Sequence, residues 1–143
     1  MTVKSILEEK GRDVVTLGPS ETIESAIRTL AERRIGALVV TTDDNRIAGI
    51  FSERDVVRMI AAEGADALKK PLSSAMTARV RTCAENHTVH EVMETMTEGR
   101  FRHLPVEVGG YLVGIISIGD VVKRRIREVE REAEDIRAYI STV

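Results

Sequence analysis

The chain carries an internal duplication, and that constrains its fold more than any other feature. Residues 15–57 align with residues 81–122. Thr16 falls on Thr82, Thr22 on Thr88, Ile23 on Val89, Leu30 on Met96 and Leu38 on Leu104, each pair 66 positions apart. Past the next turn the spacing becomes 65, with Gly49 on Gly114, Ile50 on Ile115, Ser52 on Ser117 and Asp55 on Asp120. One residue is lost between Val106 and Tyr111, where a loop is expected. Units of about 60 residues are small for independent cores, so the two are expected to pack on each other.

Each unit has the same pattern. Val14–Leu17 and Val80–Cys83 read as short strands. Thr22 and Thr88 read as helix N-caps, and Thr88 with Glu91 fits a capping box. The helices that follow carry apolar stripes: Ile23, Ala26, Ile27 and Leu30, then Val89, Val92, Met93 and Met96. Strands are expected at Ala37–Thr41 and Ile47–Phe51, and again at Leu104–Val108 and Tyr111–Ile116. Asp43-Asp44-Asn45 and Gly109-Gly110 supply the hairpin turns. A last helix starts at Ser52 and at Ser117. The order is β-α-β-β-α, twice.

The most specific residues are Gly49-Ile-Phe-Ser52-Glu-Arg-Asp55 and Gly114-Ile-Ile-Ser117-Ile-Gly-Asp120, preceded in the second unit by Phe101-Arg102-His103-Leu104-Pro105-Val106. On these motifs the chain resembles a tandem pair of cystathionine β-synthase (CBS) domains, a Bateman module. The resemblance covers almost the whole chain. It implies a mixed α/β (α+β) fold of two β-α-β-β-α repeats with pseudo-two-fold symmetry, plus a long C-terminal helix. The expected boundaries are 8–62 and 77–125 for the repeats, 63–76 for a linker and 126–143 for a helical extension.

Ser and Asp three positions apart at a helix start satisfy free backbone N–H groups, and capping alone accounts for them. The same geometry suits a ligand. A helix N-terminus attracts phosphate, and an acidic side chain one turn on can accept ribose hydroxyls. The resemblance implies that Asp55 and Asp120 hold ribose and that Ser52 and Ser117 lie near phosphate. It also implies that Thr16 and Thr82 face the pocket; a surface strand threonine is the equal alternative. Gly36 and Ala37 are small enough to leave room for an adenine face. Arg54, Arg102 and His103 are candidates for phosphate recognition, Arg most of all because its fork is bidentate; solvated arginines and a packed histidine are the alternative. Gly119 stands opposite Arg54, and Gly36 and Ala37 stand opposite Arg102 and His103, so two sites of different affinity are expected.

Composition excludes several other classes. Lys+Arg is 21 and Asp+Glu is 23, for a net charge of -2, which argues against a nucleic-acid binder. Aromatics are 3% with no Trp, so stacking platforms are not expected. Cys83 is alone, which excludes an internal disulfide and suits a reducing cytoplasm. No apolar run reaches the roughly 18 residues of a membrane span, and Met1–Lys10 lacks a signal-peptide core. His87 and His90 lack the partners of a metal site. Cys83 reads as a small buried hydrophobe, and no nucleophile, phosphate-loop or metalloprotease motif occurs. No metal and no catalysis are expected.

From Ile118 to about Tyr139 a long helix is expected. Its apolar residues, Val122, Ile126, Val129, Ala133, Ile136 and Ile140, are spaced 4, 3, 4, 3 and 4 apart, a heptad seam. The seam packs either on its own module or in a homodimer, and a homodimer is expected. The function implied is a non-catalytic regulatory module. It would bind AMP, ADP, ATP or NAD(H) between the repeats and signal to an unidentified effector protein in trans. A ligand-free scaffold is the alternative.

Overall fold

The computed structural model describes residues 1–142. Helix α1 (Val3–Lys10) leads into β1 (Thr16–Leu17), α2 (Ile23–Arg33), β2 (Ala37–Thr41), β3 (Ile47–Ser52) and α3 (Glu53–Glu63). Two 3₁₀ segments, Gly64–Lys69 and Leu72–Ser74, connect to α4 (Val89–Gly99), β4 (His103–Val108), β5 (Tyr111–Ser117) and α5 (Ile118–Ser141). Residue 143, the end of the expected extension, lies outside the described residues.

The duplication is physical as well as textual. Thr22 and Thr88 cap α2 and α4, each accepting a backbone N–H three residues on at 3.1 Å. Both helices end on an arginine in the left-handed region, Arg34 (φ 54) and Arg100 (φ 56). Both hairpins carry a register shift at the same place, between Val40 and Thr41 and between Val106 and Glu107. Asn45 (φ 63) and Gly109 (φ 60) turn the two hairpins.

The first strands differ. β1 pairs in parallel with β2 through Thr16 opposite Val39 and Leu17 opposite Val40. Val80–Cys83 is not a continuous strand. Only Cys83 bridges to Val106, donating its N–H to Pro105 O and accepting from Glu107 N–H, both at 3.0 Å. The residues before it are drawn away by the first repeat, where Thr77 and Ile50 exchange N–H···O bonds of 2.9 and 3.0 Å.

Each repeat completes its core with the segment that precedes the other. Leu72 and Met76 pack with Ile23, Leu38 and Phe51 of the first repeat. Val3, Ile6 and Leu7 of α1 pack with Val89, Leu104 and Ile116 of the second. The sequence places residues 1–7 in neither repeat, yet these three apolar side chains are among the most buried in the chain. This exchange explains the two strand glycines. A Cβ on Gly49 would lie 2.7 Å from Met76 Sδ and 2.8 Å from Thr77 O, and one on Gly114 would lie 2.8 Å from Leu7 Cδ2. Hairpin contacts join the halves further. Asn45 Nδ2 donates to Leu112 O at 3.0 Å, and the Arg46 guanidinium sits 4.5 Å over the Tyr111 ring.

Candidate functional site

A cleft of about 390 Å³ opens between the repeats, within the size range of small-molecule sites. Three pieces of chain build it. The start of α3 contributes Ser52, Glu53, Arg54, Asp55 and Arg58. The segment pinned to β3 by Thr77 contributes Arg79, Val80 and Arg81, and the turn after α4 contributes Arg100, Phe101, Arg102 and His103. Gly36 closes one side, its missing Cβ 3.3 Å from His103 Cε1.

Asp55 is the buried acid of the site, 5% exposed. Its Oδ2 accepts the Ser52 N–H at 2.9 Å and the Ser52 hydroxyl at 3.2 Å. Its Oδ1 has only long contacts, 3.5 Å to the Thr77 hydroxyl and 3.6 Å to Arg58. One oxygen is therefore engaged by the helix cap, and the other keeps accepting capacity toward the cleft.

Six arginines line the cleft against two carboxylates, Glu53 and Asp55. Among the described residues, Arg58 alone of the six has a carboxylate within 4.0 Å. The cleft is thus a surplus of positive charge on an otherwise slightly acidic chain, the arrangement that concentrates an anion. His103 adds little charge. Burial, and then Lys10, hold its pKa below the ordinary value, with Asp120 and Glu53 opposing.

The second Ser–Asp pair does not line this cleft, although Ser117 pairs with His103 across the β4–β5 ladder and Asp120 acts on the charge of His103. Asp120 accepts the Ser117 N–H at 2.9 Å, and Ser117 Oγ accepts the Asp120 N–H at 3.2 Å, a reciprocal capping box. Lys10 Nζ lies 2.7 Å from Asp120 Oδ2 and donates to Ile115 O at 3.0 Å. Burial opposes ionisation of Asp120, and the Lys10 ammonium and Ser117 N–H outweigh it, so its pKa falls below the usual value.

A family model for the CBS domain matches residues 3–62 and 72–127. The chain belongs to the CBS domain family. It is 29% identical over 147 residues to a CBS domain-containing protein of Arabidopsis thaliana, CBSX3, mitochondrial, covering 97% of this chain and 71% of that protein. It spans only 26% of a second Arabidopsis relative, CBSCBSPB1. The crystal structure of the CBS-domain containing protein ATU1752 from Agrobacterium tumefaciens matches with a TM-score of 0.84 and 54% identity, over 87% of this chain and 99% of that one. The fold is shared, at 22% identity and a TM-score of 0.79, by the CBS domain pair of MJ0100, solved with 5′-methylthioadenosine and S-adenosyl-L-methionine. That match covers 90% of this chain and 98% of the MJ0100 chain.

In this CBS pair, Gly36, Ser52, Arg54, Asp55, Arg102 and His103 come together in one cleft. Thr16, Ala37, Thr82, Ser117 and Asp120 do not line it. Thr16 sits on β1 opposite Val39. Ala37 is buried on β2 opposite Ser52. Thr82 lines a separate recess with Cys83, Glu85 and Glu107. Burial, and then Glu107, push the Cys83 thiol up to about 12, so it stays protonated. His87 Nδ1 accepts the Ala84 N–H at 3.0 Å, a local turn contact. No His, Cys, Asp or Glu cluster of metal-binding size occurs among the described residues, and no helix among them is long and apolar enough to cross a membrane.

Arg58, Arg79, Arg81, Arg100 and Thr77 were not singled out by their motif. Arg79 and Arg81 did carry a signal. The two flank Val80, and the segment that carries them lines the cleft between the repeats.

Proposed function

We propose that this CBS pair is a non-catalytic regulatory module that binds an adenosine nucleotide (AMP, ADP, ATP or NAD(H)) in the cleft between its repeats. The observation that carries this reading is the set of six arginines around the carboxylate of Asp55, whose Oδ1 has only long contacts. Asp55 Oδ1 accepts ribose hydroxyls. Ser52 at the α3 N-terminus, with Arg54, Arg79, Arg81 and Arg102, takes the phosphates. The same charge disfavours ligands of the kind held by MJ0100, because methylthioadenosine carries no phosphate and S-adenosylmethionine carries a sulfonium cation. Occupancy favours one arrangement of the two repeats, and an effector protein in trans reads it. In this reading the module is cytoplasmic and homodimeric. It pairs through helix faces that carry exposed Val57, Ile60 and Val122, of which Val57 and Val122 are equivalent in the duplication.

A thermal-shift panel of AMP, ADP, ATP, NADH, GTP and S-adenosylmethionine tests it. A nucleotide at 100 times its dissociation constant stabilises the fold by about 2.7 kcal/mol. The phosphate-bearing adenosine ligands are expected to raise the midpoint and S-adenosylmethionine is not. No shift with any of them would favour the ligand-free scaffold, a reading that the self-satisfied Lys10–Asp120 pair supports for the second repeat.

A further inference from the structure

One face of α5 is apolar and exposed. Val122, Ile126, Val129, Ile136 and Ile140 are 41%, 53%, 48%, 60% and 67% exposed. They follow the heptad seam, with Ala133 at its middle. Most helical stability in proteins comes from packing an amphipathic face, and this one has no partner among the described residues of the chain over most of its length. Residues 122–140 form about 28 Å of helix. We propose that this seam packs against α5 of a second copy of the chain, parallel and in register, and so fixes the orientation of the dimer; this rests on the homodimer reading above.

With all six layers of the seam overlapped, the flanking charges choose the orientation. With Val122, Val129 and Ile136 at d, and Ile126, Ala133 and Ile140 at a, the e positions are Lys123, Glu130 and Arg137. The g positions are Arg125, Glu132 and Tyr139. Parallel, in-register helices set each g residue beside the e residue five positions on in the other copy. Arg125 then meets Glu130 of the second copy, and Glu132 meets Arg137. Both contacts attract, and each occurs twice. Antiparallel helices centred on Arg131 would instead set Glu130 beside Glu130, Glu132 beside Glu132 and Lys123 beside Arg137. All three repel. Among the described residues, Glu130, Glu132 and Arg137 have no ion pair within the chain; Arg125 touches Glu128 at 3.2 Å. The small Ala133 layer lets the two helices approach at mid-seam.

The test is sedimentation equilibrium on the full chain, wild type and variants, with circular dichroism confirming that these exposed substitutions leave the fold intact. Wild type is expected to be a dimer at micromolar concentration. Glu132→Lys or Arg137→Glu turns two attractions into two repulsions and is expected to weaken the dimer about tenfold. The double reversal restores the attraction and is expected to recover the affinity. A second readout uses Ile136→Cys with oxidised glutathione. A parallel seam gives a disulfide between the two introduced cysteines, while native Cys83 is buried and does not compete. A preferred cross-link between Ile126→Cys and Ile136→Cys chains would show antiparallel helices and overturn the proposal. So would a dimer indifferent to all the charge variants, which leaves homodimerisation through another face standing. A monomeric or trimeric wild type would overturn the homodimer reading itself.

Discussion

Asp55 and Asp120 hold the same place in the same signature, and each accepts the N–H of its capping serine at 2.9 Å. Their surroundings differ. Asp55 looks into a cleft rimmed with arginine, with one oxygen in long contacts only. Asp120 is held by the Lys10 ammonium at 2.7 Å. The signature therefore guarantees a capped helix in both repeats and a binding site in neither. What arrives from elsewhere in the chain decides. For the first repeat this is the Thr77–Arg81 segment and the turn after α4; for the second it is the end of α1.

Asp55→Ala probes the comparison most strongly. In the proposed complex it removes charge-assisted hydrogen bonds to ribose, and nucleotide affinity is expected to fall on the order of a hundredfold. The lost cap also destabilises the fold by about 1 kcal/mol. Asp120→Ala is expected to leave affinity within about twofold, because its ion pair is a separate, half-exposed one of small worth. Isothermal titration with ATP compares the two. Equal losses in both variants would show that the two carboxylates do the same work and would break the contrast.

The arginines sharpen it. Arg79→Gln and Arg81→Gln are each expected to weaken ATP binding about tenfold and to flatten its salt dependence, since screening acts on the charges removed. Arg12→Gln, on an arginine that pairs with Glu85 outside the cleft, serves as the control and is expected to change neither. Titrations at two salt concentrations separate these outcomes.

Much of this molecule is legible in its sequence. The two offsets, 66 and then 65, set the repeat order, the caps at Thr22 and Thr88 and the hairpins, because each rests on local chemistry that survives duplication. The Ser–Asp pairs are legible for the same reason. The exchanged segments are not. Val3, Ile6 and Leu7 have the spacing of one helix face, but nothing local says that the face belongs to the second repeat. The Val80–Cys83 strand fails similarly. Its residues favour extension, yet the earlier pairing of Thr77 with Ile50 leaves only Cys83 in register with β4. Asp120 illustrates the limit most clearly, since its partner Lys10 is 110 residues away.

His103 gives the smallest expected effect and the finest test of the cleft. Burial is the largest influence on it, and Lys10 and Arg102 act with burial against its charge; Asp120 and Glu53 favour the charge but are outweighed, so its pKa is lowered. A group with a depressed folded pKa stabilises the fold above its unfolded value and loses that contribution as pH falls through the folded value. In the free protein His103 is therefore neutral at neutral pH. A bound polyphosphate favours the imidazolium and raises the pKa, so binding takes up a proton. ATP affinity is therefore expected to rise as pH falls from about 7.5 to about 6, because the bound imidazole takes up a proton that the free one does not. His103→Gln is expected to remove that gain while keeping a hydrogen-bonding side chain beside Gly36. Titration of the phosphate itself is common to both proteins and cancels in the comparison. An unchanged pH profile in the variant would show that the phosphates sit beyond the reach of His103, nearer Arg54 and the α3 N-terminus.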